Sequence, residues 1–319
     1  MKAAFGVVLL LASPLSNSAT PAPQKQVNES APCLIADVSR SALQSGTSDT
    51  KQPTEKGSRV AYSENQQGIA AITAAPGDLN KAARWFEKAA RRGYAPAQVN
   101  LAMMYLQGWG ITHNDGTALY WLTLAAQQGH PVGLFDLGQL YLKGCGVRQD
   151  YAEALRLFQE SARKGNAAAE VNIGFMYDAG LGVPCDRGVA AEWYRKAAEA
   201  GEPAGEFNFG DLYFHGDGVA QSDRIAFEWF QKAAQQGYRR AQAMVGYMCA
   251  AGRGTPKDLE SAYAWIDAAQ SKGESHIQDS PSLAEIERQL PFDAIQRAKA
   301  RARLLTESSK QPTAVALLY

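Results

Sequence analysis

The side chains able to do chemistry in this 319-residue chain are few and scattered. Its four histidines, His113, His130, His215 and His276, stand too far apart for the short spacings at which zinc is held, so no metal site is read from them. No Gly-x-Ser-x-Gly elbow or His-Glu-x-x-His helix occurs, and no candidate catalytic residue is read from the chain. Five Gly-x-Gly turns, of which Gly180-Leu181-Gly182 is typical, would matter if they cradled phosphate. None completes Gly-x-Gly-x-x-Gly, and each follows helical rather than strand periodicity, so no cofactor is expected. The four cysteines are the remaining reactive groups. Cys33 lies in a polar N-terminal stretch, and Cys145 and Cys185 lie in adjacent Gly-x-Gly turn regions. Cys145–Cys185 is the one pair that geometry favours, provided the turns bring their Cα atoms within about 7 Å. Cys249 stands where other units carry a core tyrosine and reads as a buried free thiol.

The elements that carry these residues are set by a period of 36. Trp85, Trp121, Trp193, Trp229 and Trp265 fall on one series, with Leu157 in its gap. Gly93, Gly129, Gly165, Gly201, Gly237 and Gly273 share the step, as do the glycines from Gly108 to Gly252 and from Gly110 to Gly254. This is the signature of a repeat array. Within a unit, Ala97, Leu101, Met104 and Tyr105 form the apolar stripe of a first helix, closed by Gly108-Trp109-Gly110. Ala118, Trp121, Leu122, Ala125 and Ala126 form the stripe of a second, ending at Gly129. Asp150 with Glu153 has the spacing of a capping box at a second-helix start. Glycines at 138, 174, 210 and 246 let helices approach closely, and only stacking of neighbouring units buries the stripes.

Around the array, residues 1–19 have the layout of a secretory signal peptide: Met1-Lys2, an apolar run from Ala3 to Ala12, then small residues before a cleavage zone near Ala19. The run is too short to span a membrane, so no span is expected after cleavage, and the protein is expected to be periplasmic or secreted. Residues 20–58, rich in Pro, Ser, Thr, Gln and Asn, read as a disordered linker. Residues 59–78 read as a degenerate N-terminal helix with Ile72 and Ala74 in the Gly-x-Gly positions, and 79–273 as the array. Residues 274–319 read as capping helices and a tail, where the basic run from Arg297 to Arg303 is either a solvated face or an anionic-partner site. With 32 basic and 32 acidic side chains there is no overall field to attract nucleic acid.

The unit Ala168–Gly201, AAEVNIGFMYDAGLGVPCDRGVAAEWYRKAAEAG, resembles a Sel1-like repeat, the helix–turn–helix relative of the tetratricopeptide repeat. The resemblance implies an all-α, right-handed superhelical solenoid and a non-enzymatic protein scaffold that binds a peptide or partner protein along its concave groove. The competing expectation is a peptidoglycan- or β-lactam-directed envelope protein, since some exported relatives are described that way. A cysteine-rich secreted subgroup ties the two helices of each unit by disulfides, but its spacing is absent here.

In such solenoids the first helices line the concave side. Asn100, Asp136, Asn172 and Asn208 then form one ladder, replaced by Met244 in the last unit. The ladder either meets a partner or bonds backbone between units. Beside it, Phe175, Asp211, His215 and Tyr247 vary from unit to unit, as specificity residues do. Trp109, outside the tryptophan series, is either an exposed anchor or packed on its own turn.

Overall fold

The computed structural model of the chain describes residues 56–74, 78–271 and 281–308, and all the described elements are helices. First helices α1 (Lys56–Ala74), α3 (Ala95–Gln107), α5 (Pro131–Lys143), α7 (Ala167–Ala179), α9 (Pro203–His215) and α11 (Arg239–Ala251) alternate with second helices. These are α2 (Leu79–Arg91), α4 (Asp115–Gln127), α6 (Tyr151–Arg163), α8 (Arg187–Glu199), α10 (Asp223–Gln235) and α12 (Leu259–Gln270). A short α13 (Leu283–Glu287) and α14 (Phe292–Ser308) follow. From α1 to α12 each helix packs on its neighbours in the chain, so the array is a solenoid of antiparallel pairs, and α14 packs on α12. Successive first helices also approach one another, as α3 does α5 and α7 does α9, which puts them on the inner side of the curve.

Local chemistry sets the helix ends. Each first helix from α3 to α11 stops at a glycine in the left-handed region, Gly144 for example at φ 76°. Each second helix from α4 to α12 starts under a side-chain cap: Asn114, Asp150, Asp186, Ser222 and Asp258 accept from the backbone N–H three residues on. Asp150 accepts from the Glu153 N–H at 3.0 Å, but the Glu153 carboxylate does not close the expected box; it pairs with Arg156. Asp150→Ala is therefore expected to lose about 1 kcal/mol, seen as a lower urea midpoint.

Packing inside a unit follows one rule, a small residue on the first helix beneath a large one on the second. A Cβ at Gly138 would lie 2.7 Å from the Phe158 ring, and Gly174 meets Tyr194, Gly210 Phe230 and Gly246 Ile266 in the same way. In the α3–α4 unit the pair is Ala102 with Leu122. Between units, Gly133 meets Ala125 and Gly205 meets Ala197. The second glycine of each Gly-x-Gly turn is also a unit-to-unit contact: a Cβ at Gly146 would strike the Asp115 backbone at the start of α4.

Two expectations about the ends are corrected. Lys56-Gly57-Ser58, read as linker, belongs to α1, and Ile72 and Ala74 lie within that helix rather than in a turn. Neither place holds a glycine, so neither supplies the left-handed turn that follows the other first helices. The basic run of α14 is an exposed face, as expected, and its side chains also reach back to the array. Arg297 holds Glu260 through two bonds of 3.0 and 2.8 Å, Lys299 pairs with Glu287 at 3.0 Å, and Arg301 donates to Ser261. Beneath them Ala294, Ala298 and Ala302 close the core over α12, burying Trp265. Residues 1–55, carrying the expected signal peptide and most of the linker, lie outside the described residues, as does His276.

Candidate functional site

The inner face presented by α3, α5, α7, α9 and α11 divides into two halves. On α3 and α5 the ladder residues Asn100 and Asp136, and Met103 and Gln139 one turn on, are all buried. At the equivalent places on α7 and α9, Asn172, Phe175, Asn208 and Asp211 are half-buried. On α11 the same two places hold Met244 and Tyr247, again half-buried. The open half therefore runs from α7 to α11.

The ladder is not a run of equivalent bonds. Asn100 donates through Nδ2 to Asn65 Oδ1 on α1 at 3.1 Å. Asn172 instead donates to the Ala168 carbonyl of its own helix at 2.9 Å. Asp136 is buried with neither carboxylate oxygen bonded to a described residue, and burial pushes its pKa up to about 8 against the pull of Lys143.

In the open half the chemistry is aromatic and acidic. Tyr247 sits edge-on to Phe214 with ring centroids 6.4 Å apart, and the Arg253 guanidinium lies 4.1 Å over the other ring while chelating Asp223. Burial raises the Asp211 pKa, opposed by exposed His215, whose Nε2 lies 3.6 Å away, and by Arg240. Asp178, raised by burial, lies 3.6 Å from Arg187, which also bridges to Asp217. Asp178, Asp217, Arg187 and Arg240 were not anticipated from the sequence. Arg187 reaches Asp178 within its own unit, but its bridge to Asp217 and the approach of Arg240 to Asp211 cross from unit to unit, so no local motif marks them. Among the described residues no group of three His, Cys, Asp or Glu side chains is placed to hold a metal ion.

Trp109 lies partly buried on the first apolar cluster, beside Leu79 and Ile111, so the structure places it in packing. The outer face carries open depressions. One of about 590 Å³ is lined by Tyr120, Trp121 and Gln128, and one of about 340 Å³ by Glu170, Trp193 and Lys196. Trp85, Trp193 and Trp229 are roofed by lysines one turn on, with Lys232 Nζ 3.6 Å from the Trp229 ring centre.

The cysteines correct another expectation. Cys145 is disulfide-bonded, but Cys185 is free and exposed, so the two do not pair. The reason lies in the repeat register. Cys145 stands between the two glycines of its turn, whereas Cys185 stands four places further along its unit. That later place caps the last turn of the first helix: Gln149 donates to the Leu142 carbonyl at 2.8 Å, Gln221 to Phe214 at 3.0 Å, and the Cys185 thiol to Asp178 at 3.1 Å. Cys249 is free and buried as expected, and burial pushes its thiol up to about 11.

Comparison with known proteins now places the chain. The model of the Sel1 repeat matches six consecutive segments, residues 63–94, 95–130, 131–166, 167–202, 203–238 and 239–273. The chain belongs to the Sel1 repeat family. Such repeats generally serve as protein-interaction scaffolds and are typically non-enzymatic. Among solved structures, a Sel1 repeat protein from Oxalobacter formigenes is 35% identical, with a TM-score of 0.62 over 67% of this chain and 63% of that one. The match thus spans less than two thirds of that relative. The c5321 protective antigen of uropathogenic Escherichia coli, which displays an SLR fold, is 24% identical over 80% of this chain and 73% of its own, with a TM-score of 0.36. A Klebsiella pneumoniae putative Sel1 repeat protein is 20% identical over 67% of this chain and 99% of its own, with a TM-score of 0.41. No curated protein matches the chain. Among the described residues no helix is long and apolar enough to cross a membrane.

Proposed function

We propose that this Sel1 repeat protein is an exported scaffold that binds an extended segment or a helix of a partner protein in the open half of its groove. The observation that carries this reading is the row of half-buried Asn172, Phe175, Asn208, Asp211 and Tyr247, with exposed His215 at its edge. Half-buried amides can donate and accept toward a peptide backbone, and the aromatic rings give apolar area at low entropic cost. The carboxylates of Asp178, Asp211 and Asp217 favour a partner segment with basic or hydrogen-bond-donating side chains there. Recognition then depends on local side chains, in keeping with a net charge of zero.

A crosslinked pull-down from the cell envelope, comparing wild type with Phe175→Ala plus Tyr247→Ala, tests the assignment. At least one partner recovered with wild type should be lost from the double variant, and recovery of every partner unchanged would defeat it. Fractionation of the same cells tests export: mature protein starting near Ala19 is expected outside the cytoplasm, and intact residues 1–19 on cytoplasmic protein would refute it.

A further inference from the structure

We propose that the outer face of α4 binds a neutral saccharide, held between Tyr120, Trp121 and Leu124 over a floor made by Gln98 and Gln128. This goes beyond partner binding in the groove, which lies on the other side of the array, and it stands or falls independently of it.

The first observation is a loss of charge confined to one unit. Helices α2, α6, α8 and α10 each carry at least four charged side chains, whereas α4 carries one, Asp115 in its first turn. The loss falls on the places that line the outer face. Tyr120 stands where the units on either side have Arg84 and Arg156, and Leu124 where others have Lys88, Lys196 and Lys232. Gln98 stands where two later units have Glu170, which interacts with Lys196, and Glu206, which interacts with Lys232. An outward face stripped of charge and given an exposed aromatic ring, in an array that otherwise charges it, marks a place of contact.

The second observation is the geometry at that place. Trp85, Trp193 and Trp229 each have a lysine Nζ between 3.6 and 4.2 Å from the ring centre, but Leu124 brings no ammonium to Trp121. The Tyr120 ring stands edge-on to Trp121 instead, with centroids 5.0 Å apart and planes at 70°. The two rings wall the depression of about 590 Å³, a volume with room for about two sugar rings. Its floor is polar and fixed. Gln98, 2% exposed, donates to the Ala90 carbonyl at 3.2 Å and accepts from Gln128 Nε2 at 2.8 Å. Gln128 also donates to the Leu124 carbonyl at 3.2 Å, so both amides are oriented before a ligand arrives.

These groups select the class of ligand. A pyranose offers polarised C–H groups on its ring face, which pack on aromatic rings, and hydroxyls at its edge that donate and accept as glutamine amides do. A charged ligand finds no opposite charge to meet. Arg91 at the rim is already held by Glu87 through two bonds of 3.1 and 2.7 Å, and no carboxylate lines the depression. A protein partner needs more room. The uncharged strip is one helix wide, roughly 10 Å, which falls short of the roughly 800 Å² that each side of a standard interface buries.

Isothermal titration calorimetry of the full chain with cellobiose, maltose and N,N′-diacetylchitobiose, which differ in linkage and N-acetylation, tests the site. At least one of the three should bind wild type with a Kd of about 1 mM or tighter. Leu124→Lys should weaken that binding at least about tenfold with the thermal midpoint unchanged, because it installs the roof that three sister tryptophans already carry. Gln128→Ala, at an exposed place just past the end of α4, should weaken it at least about threefold, and it decides the matter if Leu124→Lys lowers the midpoint. No binding of any of the three sugars, or binding as tight as wild type in a folded variant, would overturn the proposal. So would a wild-type dimer in light scattering that Leu124→Lys splits, since the strip would then be a contact between two copies.

Discussion

Gly138→Ala and Phe158→Leu are each expected to destabilise the array by about 1–3 kcal/mol, and the double variant by clearly less than their sum. The glycine substitution alone pushes a Cβ to 2.7 Å from a ring that is fully buried and cannot retreat. The phenylalanine substitution alone leaves space above the glycine, with loss of the Phe135–Phe158 ring contact at 5.7 Å. Together they recreate the Ala102–Leu122 pair that the preceding unit already uses. Urea unfolding of the four proteins measures the coupling. Strict additivity would mean that the small-under-large rule is an accident of side-chain size rather than what seats one helix on the other.

Asp136→Asn is expected to stabilise the protein, and more so as the pH rises. The folded carboxyl keeps its proton up to about pH 8, whereas the unfolded one releases it near the ordinary 3.8. Between those values the folded state binds more protons than the unfolded state, so this residue's contribution to stability falls as pH rises. Below pH 4 the difference is small; near pH 8 an unpaired buried group costs on the order of 1–3 kcal/mol, more when charged. An asparagine carries no charge, and its amide can donate as well as accept. Thermal midpoints of wild type and variant at pH 4, 6 and 8 should diverge steadily. A constant difference, or a less stable variant at pH 8, would show that Asp136 is solvated or paired.

How much of this was legible in the sequence depends on how local each feature is. The helix pairs, their glycine stops and their acidic or hydroxyl caps follow from residue type and a 36-residue step, and they stand where the pattern puts them. Contacts that cross from unit to unit were harder. The second glycine of each turn reads as part of a helix exit, yet Gly146 owes its lack of a side chain to the backbone of Asp115, 31 residues earlier. Cys185 looked like a disulfide partner because its place in the unit was compared with Cys145 by turn rather than by column; Gln149 and Gln221, one repeat to either side, would have shown its capping role.

The inner face was the least legible. Asn100 and Asn208 share a column and a residue type, so only three-dimensional packing separates the buried one from the half-buried one. The contacts that cross units, Arg187 to Asp217 and Arg240 near Asp211, carry no spacing signal for the same reason. A repeat fixes what is common to all units, whereas recognition rests on where the units differ.

The central claim is that this scaffold binds through the open half of its groove, and a titration tests it most directly. A partner recovered from the envelope is purified and its affinity measured for wild type, for Phe175→Ala plus Tyr247→Ala, and for Tyr120→Ala on the outer face. The groove variant should bind at least about tenfold more weakly, roughly 1.4 kcal/mol, with Tyr120→Ala matching wild type. Undiminished affinity in the groove variant, or an equal loss from Tyr120→Ala, would contradict the account.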